Sequence, residues 1–91
     1  MKTTSMEATL EISMYPLQSD YKEHIRSFIR GIQEHAGIKV RVNGISTQIF
    51  GDYDDIISIL QSPVKRELEK EMGVVFVMKL TSGHHDADPK I

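Results

Sequence analysis

Two histidines stand side by side near the C-terminus, in the run His84, His85, Asp86, Ala87, Asp88. Imidazoles and carboxylates so close together can ligate zinc or nickel. Such a site needs its ligands ordered, at an entropic cost, and held by a second layer of hydrogen bonds. The run alone does not supply these, and no metal is expected. His24 and His35 lie on or near a helix with no partner one turn on, so they read as surface or boundary residues. Asp52, Asp54 and Asp55 resemble the opening of a calcium loop, but its DxDxDG order, central glycine and terminal glutamate are absent. Helix capping explains them better. With no cysteine, thiol catalysis, thiolate metal sites and disulfides are excluded. No GxSxG elbow, GxGxxG turn or GxxxxGK[ST] loop occurs. No nucleophile constellation or phosphate-cradling loop is therefore indicated.

At 91 residues and 10.4 kDa the chain has room for one core. Hydrophobic residues make up 40% and charged residues 26%, as in ordinary globular domains, so the chain should fold. The formal charge of −2 argues against a general nucleic-acid binder, which carries a basic face. No apolar run approaches the ~20 residues of a membrane span, and no apolar leader precedes the first acidic residues. The expected compartment is the cytoplasm.

The elements that position these residues follow from periodicity. Ala8, Leu10, Ile12 and Met14 alternate with Glu7, Thr9, Glu11 and Ser13, the pattern of a half-buried strand, and Tyr15-Pro16 ends it. Tyr21, Ile25, Phe28, Ile29 and Ile32 recur at helical spacing, with Ser19 or Asp20 able to cap and Gly37 able to stop the helix. Residues 38–42 alternate again. Asn43-Gly44 predicts a tight two-residue turn with positive φ, leading into a strand from Ile45 to Phe50. Asp52 is placed to cap a second helix whose buried stripe is Ile56, Ile57, Leu60, Val64 and Leu68. Pro63 inside it predicts a kink or a break. Val74 to Leu80 has the length and β-branched content of a last strand.

The order β-α-β-β-α-β predicts an α+β fold of the ferredoxin-like plan, a four-stranded antiparallel sheet with both helices on one face. The domain is expected to span residues 1–80, with 81–91 a flexible tail. The face away from the helices would carry Glu7, Thr9, Glu11, Ser13, Lys39, Arg41, Ser46, Gln48 and Phe50. It reads either as a solvated outer face or as a platform for a ligand or a second subunit. A small domain with an open sheet gains burial by pairing, so a homo-oligomer is expected. Two relatives of this plan fit poorly. An acylphosphatase needs an arginine-bearing glycine-rich loop where this chain has Ser13 to Leu17, and an RNA-recognition module needs exposed aromatics where it has Glu7, Thr9, Glu11 and Ser13.

Two segments are more specific. Ile12, Ser13, Met14, Tyr15, Pro16 and Leu17 close the first strand, and residues 44–52 contain Ser46, Thr47, Gln48, Ile49, Phe50 and Gly51. Together they resemble the thiamine-binding protein family. That family carries S-hydrophobic-Y-P-hydrophobic after its first strand and S-T-x-hydrophobic-x-G in its third. The resemblance covers residues 6–80. It implies a ferredoxin-like fold, dimers or tetramers, no catalysis or cofactor, and binding of thiamine or its hydroxymethylpyrimidine half.

Thiamine joins a flat aminopyrimidine to a cationic thiazolium. The pyrimidine needs an apolar slot with a few polar groups, and the hydroxyls of Ser13, Tyr15, Ser46 and Thr47 are suited to that. These four lie on the family's motifs. From the outer-face reading alone, Tyr15 or Phe50 could stack on a ring and Glu7 and Glu11 could balance the positive charge. Strand parity raises a difficulty: Ser13 and Ser46 point away from the helices, but Thr47 points toward them. One pocket for all three requires a bulge, a strand end or a subunit boundary. The competing reading is a regulatory or assembly module that binds another small metabolite between subunits, with Thr47 simply bonding nearby backbone.

Overall fold

A computed structural model describes residues 6–44, 46–71 and 73–85. Its elements run β1 (Glu7–Pro16), α1 (Tyr21–Gln33), β2 (Ile38–Val42), β3 (Thr47–Asp52), α2 (Tyr53–Ile59), a π turn (Leu60–Val64), α3 (Lys65–Leu68) and β4 (Val74–Ser82). The strands form one antiparallel sheet in the order β2-β3-β1-β4. This is the ferredoxin-like α+β fold. The two inner strands are β1 and β3.

Ala8, Leu10 and Ile12 of β1 and Ile49 of β3 pack with Phe28 and Ile32 of α1 and with Ile56, Ile59 and Val64 of the second helical segment. Both helical layers therefore share one face of the sheet. Phe76 stacks obliquely on Phe28, with ring centroids 5.2 Å apart. Gly37 and Gly73, both with φ near +80°, turn the chain out of each helical segment into the next strand.

Several local expectations change. Asp20 and Asp52 occupy the cap positions, but neither side chain makes a capping hydrogen bond to its helix backbone. Asp52 instead accepts the Met6 amide at 3.2 Å, and Asp20 lies 3.3 Å from the His24 imidazole. As expected, the helical segment is divided at Pro63, with α2 ending at Ile59 and α3 starting at Lys65. Pro63 sits in the π turn, whose wider winding makes room for the ring and tolerates the missing N–H. That extra residue rotates the following turn, leaving Leu68 exposed and burying Glu67. Glu67 is held by Lys70 at 2.9 and 3.0 Å. Tyr21 at the start of α1 is also exposed.

The β2–β3 connection is not the tight turn expected. Neither Asn43 nor Gly44 has positive φ. Asn43 is instead tied to Ser46: its amide donates to the Ser46 carbonyl at 3.0 Å and its side-chain oxygen accepts the Ser46 amide at 2.9 Å. β3 then begins at Thr47; Ile45 lies outside the described residues.

β4 runs past Leu80 to Ser82, two residues beyond the expected boundary. Gly83 to His85 then fold across the outer face. The Gly83 amide donates to the Glu7 carbonyl at 2.9 Å. Thr9 Oγ1 donates to the Gly83 carbonyl at 2.8 Å and accepts the His85 amide at 3.1 Å. Residues 86–91 of the expected tail lie outside the described residues. Among the described residues, no helix is long and apolar enough to cross a membrane.

Candidate functional site

The register of β1 creates the site. β1 pairs with β3 only as far as Ile12 opposite Thr47, yet it continues beside β4 to Pro16 opposite Val74. From Ser13 onward, β1 has no paired residue on its β3 side among the described residues. Asn43, Gly44 and Ser46 border that gap, and α1 roofs it. A cavity of about 120 Å³ results. Ile12, Met14, Ile25, Phe28, Ile29 and Val42 supply its apolar walls, and Ser13, Asn43, Gly44, Ser46 and Thr47 its polar ones.

Three of the hydroxyl residues singled out in the sequence, Ser13, Ser46 and Thr47, thus line one cavity. The parity difficulty resolves as a strand end, because where the sheet stops pairing, residues of both parities reach the same space. Thr47 is 7% exposed, and its hydroxyl has no hydrogen-bonding partner among the described residues. A buried hydroxyl without a partner is costly and rare, and it marks a place where water or a ligand completes the bonding. The walls carry no titratable side chain among the described residues, so the space suits a neutral group.

The other residues fall elsewhere. Tyr15 is exposed on the outer face, opposite Val75. Phe50 does lie on the outer face but is only 1% exposed, because His84 covers it with ring centroids 5.0 Å apart. It also sits at the far end of β3 from the cavity, so it cannot stack on a ligand there. Glu7 is about 20 Å along β1 from Ser13. Glu11 is outside the cavity lining, but its carboxylate accepts the Ser46 hydroxyl at 3.3 Å and lies 3.8 Å from the Lys79 ammonium. His85 bonds the Ser82 carbonyl through Nε2 at 2.7 Å, and no cluster of three metal-ligating side chains occurs among the described residues. Sequence reasoning missed Asn43 and the α1 residues as parts of the site. Asn43 carried a turn signal, and Ile25, Phe28 and Ile29 read simply as core.

This arrangement can be set beside known proteins. The YKOF-related family matches residues 7–83. The chain belongs to that family. Among solved structures, the YKOF-related chain is similar to a protein from Streptococcus pneumoniae, with a TM-score of 0.76 at 20% identity over 87% of this chain and 89% of that one. It is also similar to a Thermotoga maritima protein provisionally assigned to thiamine biosynthesis or salvage, with a TM-score of 0.71 at 19% identity over 82% of each chain. A Bacillus cereus domain of unknown function, DUF77, gives a TM-score of 0.70 at 17% identity over 88% of this chain and 79% of that one. At these identities the likeness establishes the shared fold. No curated protein matches the chain.

Proposed function

We propose that this protein binds thiamine, or its hydroxymethylpyrimidine half, in the strand-end cavity without catalysing a reaction, and serves carriage, salvage or sensing of the vitamin in the cytoplasm. The observation that carries the reading is the convergence on one apolar-walled space of Ser13, Ser46 and Thr47, whose hydroxyl has no partner among the described residues. At about 120 Å³ the space is smaller than the apolar cavity of about 150 Å³ that accommodates benzene, so a ring would seat in part with its substituents in the open mouth. The neutral pyrimidine would enter, and the cationic thiazolium would stay in solvent at the mouth. The similar Thermotoga maritima protein, with its provisional thiamine assignment, supports the same direction.

The reading includes a homo-oligomer, dimer or tetramer. Val75, Val77 and Tyr15 form an exposed apolar strip on the outer face where β1 runs beside β4, and β4 is an edge strand with unpaired backbone groups. A second copy would cover both. Were the cavity to take a different metabolite, the same strip would favour an assembly module. Calorimetric titration with thiamine and with hydroxymethylpyrimidine tests the ligand. Saturable heat with both is expected, and no heat or thermal shift at millimolar ligand contradicts it. Sedimentation tests the assembly, and a strict monomer at micromolar concentration contradicts it.

A further inference from the structure

The Ser46 hydroxyl donates to a carboxylate. Its oxygen is 3.3 Å from Glu11 Oε2. Between a hydroxyl and a carboxylate the hydroxyl must donate, because it alone has a proton to give. Ser46 is also pinned through its backbone, its amide bonding the Asn43 side-chain oxygen at 2.9 Å and its carbonyl accepting the Asn43 amide at 3.0 Å. The other carboxylate oxygen of Glu11 faces Lys79 Nζ at 3.8 Å, so the acid is held between a cation and the hydroxyl. Once the Ser46 proton is committed to Glu11, its oxygen has only lone pairs left to offer a ligand. The Thr47 hydroxyl, with no partner among the described residues, can rotate to donate or accept and cannot discriminate.

Resting on the reading of this cavity as the binding site, we infer that Glu11 is a positioning residue for specificity: by fixing Ser46 as an acceptor, it makes the cavity select neutral heterocycles bearing an exocyclic amine over those bearing an exocyclic oxygen. Glu11 does this without touching the ligand. A ligand with an oxygen at that position would set lone pair against lone pair, whereas an amine supplies the missing proton.

The test uses the full chain and matched pairs of one-ring probes, 4-aminopyrimidine against 4-pyrimidinone and 2-aminopyridine against 2-pyridone, with affinities measured by ligand-observed NMR or calorimetry. The wild-type protein should favour the amino member of each pair. Glu11→Ala should reduce that preference by roughly fivefold or more, the effect of one hydrogen bond. Glu11→Val repeats the measurement with a side chain that favours strands, should alanine weaken the sheet. In a Ser46→Ala background the preference should already be lost, and adding Glu11→Ala should change nothing further. A merely structural role for Glu11 would lower both members of a pair equally and would add to the Ser46 effect. An unchanged preference in folded Glu11 variants, additivity with Ser46→Ala, or a wild-type preference for the oxo member overturns the inference. Amino-selective probe binding without binding of thiamine or hydroxymethylpyrimidine refutes the vitamin reading and leaves the Glu11 inference standing. Binding of no probe overturns both.

Discussion

Ser13 and Thr47 have opposite strand parity and line the same cavity. Thr47 faces Ile12 in the last paired rung between β1 and β3, and Ser13 is the first residue past it. The two meet because the sheet stops pairing on one side of β1 while continuing on the other. Each prediction below follows from this geometry or from the packing that supports it.

Removing the Thr47 hydroxyl should separate stability from binding. Thr47→Val deletes a buried polar group that has no partner among the described residues. The ligand-free protein should gain about 1 kcal/mol in urea unfolding, and pyrimidine affinity should fall by about the same amount. Ser13→Ala combined with Thr47→Ala should weaken binding by more than ~1 kcal/mol. Unchanged affinity in that double variant contradicts the site.

Gly37 holds the exit from α1. Its φ is +82°, and an added Cβ would lie 2.6 Å from the Asp55 carboxylate. Gly37→Ala should destabilise the fold by about 1–3 kcal/mol through backbone strain and the displaced carboxylate, measured as a lower urea midpoint. A midpoint equal to wild type would place the strain elsewhere.

Glu67 is buried, and its carboxylate depends on Lys70. Lys70→Ala should cost roughly 1–3 kcal/mol by leaving that group without its cation. Adding Glu67→Leu should restore most of the loss, because a buried ion pair and an apolar pair of similar volume are often close in stability. A double variant no more stable than Lys70→Ala alone would contradict this.

His84 covers Phe50 on the outer face. His84→Ala should lower stability by about 0.5–1.5 kcal/mol and speed amide exchange around Thr9 and Phe50, leaving the cavity end of β3 unaffected. Hydrogen exchange monitored by NMR checks both halves of that statement.

Much of the architecture was legible because it is local. The two-residue period of Ala8, Leu10 and Ile12 and the helical spacing of Phe28 and Ile32 specify their elements and buried faces directly. The sequence also singled out Ser13, Ser46 and Thr47, but not why they meet, since strand register is a long-range property. Asn43 does not open a tight turn because its side chain captures the Ser46 amide, a bond the Asn43-Gly44 pair does not announce. Phe50 is hidden by a residue 34 positions later in the chain, which parity cannot foresee. Leu68 is exposed because the π turn at Pro63 shifts the helical phase on which its expected burial relied.

The most direct measurement is an NMR map of intermolecular contacts in protein saturated with hydroxymethylpyrimidine. The account predicts nuclear Overhauser contacts from the pyrimidine methyl and ring protons to the methyls of Ile25, Ile29, Val42 and Thr47 and to the ring of Phe28, with none to Tyr15 or Phe50. Saturable binding with contacts confined to the outer face, or no binding at millimolar ligand, would contradict it.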